Sequence, residues 1–197
     1  MKNLVVRLAG LIAGLLGRLQ LALLVRRPPT AGYLVLDIDN TLADTWPSLV
    51  PGAVTDGNRL AGLAELAGMR ARTADLASGR RVLYVSHRFL WQLPVTLSWL
   101  RAHGFPASLG TVLLVPEPPH KLRYLRRLVA AGPVEYWDDL SHGHEHGTVQ
   151  YYEDLIAAVR SLPIDYRGAA EIAATVEAAT EPAGAADGSP PGAEDGS

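Results

Sequence analysis

The sequence predicts an α/β fold, a parallel sheet covered by helices, on three observations. Short apolar runs rich in Val, Leu and Tyr alternate with longer stretches of helical spacing. Three of these runs end in polar groups: Asp37 with Asp39, Ser86, and Asp138 with Asp139. The chain of 197 residues, 48% hydrophobic, is long enough to bury one substantial core.

The first element is a helix over residues 4–25, mostly Leu, Val, Ile, Ala and Gly, broken by Arg7, Arg18 and Gln20. At about 100° per residue, Arg7, Gly10, Gly14, Gly17 and Arg18 fall near one side and the leucines occupy the remainder. Three readings of this segment compete: a helix lying on a membrane surface, a packing or oligomer helix, and a span or signal peptide. The arginines inside the run count against spanning. Pro28 and Pro29 end the helix and stiffen the linker that follows.

Strands are predicted over residues 33–37, 81–86, 111–115 and 134–137, with helices over 60–77, 89–103 and 121–130 between them. A further helix over 152–161 carries Leu155, Ile156 and Val159 at helical spacing and is expected to pack on the sheet. From about Glu181 onward the chain is Pro, Gly, Ala, Ser and acid, a composition that cannot offset its ordering entropy, so disorder is expected. The organisation expected is therefore an N-terminal helix and linker over 1–29, an α/β domain over 30–167, and a short helical extension with an acidic tail over 168–197.

Composition narrows the chemistry. A formal charge of -2 gives no signature for nucleic acid, and the lack of cysteine excludes disulfides, zinc-thiolate sites and cysteine nucleophiles. Charge is unevenly placed: before Asp37 the charged residues are Lys2, Arg7, Arg18, Arg26 and Arg27, whereas after Arg167 all are acids.

Asp37 and Asp39 share one face if the strand continues through them, and two carboxylates that close repel unless a cation or a proton intervenes. A Mg²⁺ site is the economical explanation. Ser86 ends the next strand, where a hydroxyl and backbone N–H groups suit a phosphate, although it also serves as an N-cap for the helix that follows. Lys121 follows the loop Val-Pro-Glu-Pro-Pro-His and is one of only two lysines. Arg123, Arg126 and Arg127 on the same helix read as a solvated face. Asp138 and Asp139 end a fourth strand.

In this order the Asp-Ile-Asp-Asn-Thr stretch, Ser86, Lys121 and the Asp138-Asp139 pair resemble the four motifs of the haloacid dehalogenase (HAD) superfamily of phosphatases and phosphotransferases. The resemblance spans roughly residues 33–160. It implies a small uncapped phosphatase on a three-layer Rossmann-like sheet with helices on both faces, preceded by the apolar N-terminal helix. It further implies Asp37 as nucleophile, giving an aspartyl-phosphate, and Asp39 as general acid and base. Thr41, Ser86 and Lys121 would bind phosphate, and Mg²⁺ would be held by Asp37, the carbonyl of Asp39, Asp138 and Asp139.

The resemblance leaves the phosphorylated substrate unspecified. Transfer to an acceptor alcohol, or phospho-ligand binding without catalysis at a membrane, are the competing functions. Expected partners are that substrate, a membrane surface through residues 4–25, no nucleic acid, and a second copy if the site is closed by oligomerisation. The expected location is cytoplasmic, peripheral at the membrane. His142, His144 and His146 alternate as metal ligands can, but Gly143 and Gly147 make the segment flexible and it reads better as a substrate-facing or exposed loop. His87 and Arg88 are placed to approach a leaving group. Trp46, Pro47, Trp91 and Tyr151 either line the entrance or pack as ordinary aromatic and proline contacts.

Overall fold

The computed structural model describes residues 2–48 and 57–181. The acidic tail beyond Glu181 lies outside these residues. In chain order the elements are α1 (Lys2–Leu24), β1 (Tyr33–Leu36), β2 (Ala43–Asp44), α2 (Gly57–Ala61), β3 (Ala64–Glu65), α3 (Met69–Leu76), β4 (Arg81–Ser86) and α4 (Leu93–Ala102). There follow β5 (Val112–Leu114), α5 (Lys121–Val129), β6 (Val134–Trp137), β7 (Ser141–His142), β8 (Gln150–Tyr151), α6 (Glu153–Arg160), β9 (Asp165–Arg167) and α7 (Ala169–Thr180).

Five strands form one parallel sheet in the order β5-β4-β1-β6-β9. The central strand β1 is buried on both sides, as the apolar run Tyr-Leu-Val-Leu requires. Leu34 and Leu36 face one core with residues of α2 and α4, whereas Tyr33 and Val35 face the other with residues of α5 and α6. The result is a three-layer, Rossmann-like α/β fold. Chain order reverses on either side of β1, so the crevice between β1 and β6 at their carboxyl ends is the natural ligand position.

Three local departures from the sequence reading have physical causes. The helix expected over 60–77 is divided into α2 and α3 with the short strand β3 between them, and β3 pairs antiparallel with β2. Gly68 makes the second break: its φ of 77° is the left-handed region, and a Cβ there would sit 2.7 Å from the Ala179 Cβ of α7. Residues 90–92 form a 3-10 turn ahead of α4, which starts Leu93-Pro94 with proline in its first turn. Strand β9 lies at the sheet edge as Asp-Tyr-Arg, too short and polar to read as a strand from its pattern.

Helix α1 packs against the domain along its glycine side. Gly10 and Gly14 approach Pro116, and Gly17 lies so close to Tyr124 that a Cβ would fall 2.4 Å from the phenol oxygen. Ala13 joins one core and Leu21 the other, so the helix straddles the β5 edge of the sheet. Gln20 donates to the carbonyls of Leu109 (2.9 Å) and Val112 (3.2 Å), and Arg81 donates to the Leu24 carbonyl at the helix end (2.8 Å). No helix among the described residues is long and apolar enough to cross a membrane.

Gly68→Ala is expected to cost about 2–4 kcal/mol through the positive φ together with the clash on α7. Urea unfolding checks this, and a change below about 0.5 kcal/mol would show that α7 yields without cost.

Candidate functional site

Asp37 and Asp138 each stand one residue past the end of neighbouring strands. Leu36 pairs with Trp137, and the ladder runs on through the Asp37 N–H to the Trp137 carbonyl (2.8 Å) and the Asp138 N–H to the Arg167 carbonyl (3.1 Å). Lys121, the first residue of α5, is delivered between them by a 3-10 turn over Pro118–His120. Its buried ammonium donates to Asp37 Oδ1 (2.9 Å) and Asp138 Oδ2 (2.6 Å). The second Asp138 oxygen accepts the Leu140 N–H (2.9 Å), and the Tyr136 hydroxyl donates to Oδ2.

Burial pushes the Asp37 carboxyl well above the usual range, against the opposing pull of Lys121, and the charges of Asp138 and Asp39 push it further up. Burial alone would lower the Lys121 ammonium, yet Asp138 and Asp37 raise it, so it stays charged. Asp139 is raised to about 7, by burial first and then by Asp138, although the Ser141 hydroxyl donates to its carboxylate. One oxygen from each of Asp37, Asp138 and Asp139 lies within 4.8 Å of the others. An all-oxygen anionic donor set suits a hard divalent cation such as Mg²⁺.

The Asp39 carboxylate is not part of that cluster. Arg88, one residue beyond His87 after β4, grips it with two parallel bonds, Nε to Oδ2 (2.9 Å) and Nη2 to Oδ1 (2.8 Å). Thr45 donates to Oδ1 (2.8 Å). Burial favours a higher value for Asp39, but the Arg88 charge and hydrogen bonds override it and hold the carboxyl at about 2. Arg88 is itself buried, and its Nη1 donates to Thr96 of α4 (3.1 Å).

Asp37, Asp39, Ser86, Lys121, Asp138 and Asp139 all line one cavity of about 280 Å³. The Ser86 hydroxyl is buried and meets no hydrogen-bonding partner. Thr41 does not line this cavity. It is buried behind it, where its hydroxyl oxygen accepts the Asp139 N–H at 3.4 Å. His142 and His144 line the wall without joining the carboxylates: His142 packs on Tyr152, and His144 packs edge-on against Trp46 and bonds Asn40 (3.1 Å). His146 is exposed. Trp46 and Tyr151 border a neighbouring cavity of about 380 Å³ lined also by α7, whereas Trp91 is exposed and stacks on Phe89.

Sequence reasoning missed the Arg88 grip, the Thr45 bond and the Tyr136 contact. The Arg88 grip joins positions 49 apart, whereas Thr45 lies six residues from Asp39 and Tyr136 two from Asp138, where the local turn geometry that joins them leaves no hydropathy signal. Strained backbone flanks the site on both acid loops, since Asn40 (φ 54°) and Leu140 (φ 48°) are the non-glycine residues with positive φ among those described. Asn suits that conformation. Leu does not, and its N–H is the one bonded to Asp138.

No family model matches the chain, and neither does any curated protein. Among solved structures, it is similar to the class C acid phosphatase from Bacillus anthracis, with a TM-score of 0.47 and 18% identity over 85% of this chain and 78% of that one. The structure of the Bacillus anthracis class C acid phosphatase with tungstate bound gives a TM-score of 0.47 and 19% identity over 79% of this chain and 74% of that one. Likenesses this loose leave the chemistry to be read from the side chains.

Because the Asp139 carboxyl holds a proton below about 7, a cation must displace it there. Mg²⁺ affinity is therefore expected to fall as pH drops from 8 to 5.5, by about tenfold per pH unit for each proton displaced. Titration calorimetry across that range measures it, and a flat profile would contradict the assigned donor set.

Proposed function

We propose that this chain is a Mg²⁺-dependent phosphomonoester hydrolase of the HAD type, working through an aspartyl-phosphate on Asp37. The observation that carries the reading is the Lys121 ammonium shared by two buried carboxylates at the ends of adjacent strands, across a cavity from the unpartnered Ser86 hydroxyl. A phosphoryl group needs this combination: an anionic nucleophile, fixed positive charge, and a donor aimed at its oxygens.

An Asp37 oxygen attacks phosphorus, and the bond from phosphorus to the ester oxygen breaks. The leaving oxygen takes a proton from Asp39. Asp39, now a carboxylate, removes a proton from the water that attacks the acyl phosphate, so inorganic phosphate leaves and Asp37 is regenerated. Ser86 and Lys121 hold the phosphoryl oxygens, while Thr41 fixes the Asp139 loop from behind. Asp37, Asp138 and Asp139 would hold Mg²⁺, which when bound would supply positive charge to screen the nucleophile from its anionic target.

Asp39 imposes a condition on this scheme. A carboxyl at about 2 carries no proton at neutral pH. Its acid role therefore requires the Arg88 pair to open as substrate enters, which frees a guanidinium beside the leaving group.

Two variants separate the roles. Asp37→Asn is expected to lower kcat at least about a thousandfold on every phosphomonoester in a panel. Asp39→Asn is expected to lower it about 10²–10⁴-fold on alkyl phosphates but under about tenfold on p-nitrophenyl phosphate, whose leaving group departs without a proton. Equal residual activity in wild type and Asp37→Asn would sink the catalytic assignment. Diversion of product to a phosphate ester when an alcohol is added would shift the reading to phosphotransfer.

A further inference from the structure

Large exposed apolar side chains are concentrated on one element. Of the eleven among the described residues, seven lie on α1: Leu8, Leu11, Ile12, Leu15, Leu16, Leu19 and Leu23, each between 41% and 72% exposed. At about 100° per residue they occupy one arc of about 140°. The opposite arc holds Gly10, Ala13, Gly14, Gly17, Gln20 and Leu21, the residues that fit the helix against the β5 edge. Helix α1 is thus fixed to the domain by this second arc and presents the seven large apolar side chains of the first outward.

An apolar face of this width on a surface helix marks an interaction site. The charge around it selects the occupant. Every charged residue among the first 36 is a cation, namely Lys2, Arg7, Arg18, Arg26 and Arg27. Arg18, Arg26 and Arg27 are exposed. Two copies of such a helix placed face to face would bring like charges together, whereas an anionic lipid surface accepts leucines and arginines at once.

We propose that α1 is a membrane-docking face that seats its leucine arc at the headgroup boundary of an anionic bilayer, holding the whole domain in one orientation. The docking is independent of the phosphatase reading. Helix α1 also borders the segment that carries Arg88, since Ala9, Gly10 and Ala13 share a small cavity with His87, Arg88, Phe89 and Leu90. The lipid-facing element and the Asp39 grip are therefore neighbours in one packed unit.

The test uses the full chain, because Ala13 and Leu21 of α1 complete the cores and removing the helix would open them. Sedimentation is measured with vesicles of phosphatidylcholine alone and of phosphatidylcholine with phosphatidylglycerol. Wild type is expected to bind the anionic vesicles, and changing Leu11, Leu15 and Leu19 together to Asn should weaken binding at least about tenfold while leaving the thermal melt in place. Changing Arg18, Arg26 and Arg27 to Gln should weaken it by about fivefold per arginine on anionic vesicles only. Failure of wild type to sediment, or equal binding to neutral vesicles, would overturn the proposal. So would a lipid-free dimer, seen by analytical ultracentrifugation, that the triple Leu→Asn change dissociates.

Discussion

Lys121 is the interaction on which the rest of the site depends. Asp37, Asp138 and Asp139 converge at the carboxyl ends of two neighbouring strands, where burial and mutual repulsion both oppose ionisation. A single ammonium between Asp37 and Asp138 is the positive charge the chain supplies there. Removing one member of such a buried group leaves an uncompensated charge, at a cost of about 3–5 kcal/mol. The arrangement is therefore poor evidence for stability and good evidence for chemistry. Without a ligand it is an expensive way to build a core, and it fits a site where an anion and a cation arrive together.

The fold meets this constraint through strand order. Because β1 and β6 are adjacent and in register, residues one step beyond each end stand side by side, and α5 brings Lys121 to the same point from a proline-fixed turn. A second charge pair, Arg88 with Asp39, sits on the neighbouring β4 side of the same cavity. The two acids of the opening pair consequently have opposite environments: Asp37 is pushed up by burial, and Asp39 is held down by a guanidinium. The proposed roles reverse these resting directions, so Asp37 acts as nucleophile only once positive charge at the site ionises it, and Asp39 takes a proton only once the Arg88 pair opens.

Much of this was legible in the sequence because it is local. The four apolar runs and the polar residues that end them predict four of the five strands of the sheet and place Asp37, Ser86 and Asp138 at carboxyl ends. What was not legible depends on distant partners. Strand β9 pairs only because β6 offers an edge, and Arg88 finds Asp39 across 49 positions of sequence. Helix α1 stayed open among three readings because its packing contacts lie on its glycine side, which hydropathy groups with the arginines. Glycine carries no side chain to bury, so its contribution, close approach to Pro116 and Tyr124, has no signal on a hydropathy wheel.

In the proposed reaction Asp37 forms a covalent bond to phosphorus. Acid quenching of the full-length protein during turnover of a phosphomonoester, followed by peptide mass spectrometry, tests this directly. A phosphoryl adduct on the peptide carrying Asp37, absent when substrate or Mg²⁺ is withheld, is the predicted result. Steady hydrolysis with no adduct on that peptide, or with the adduct on another residue, would contradict it.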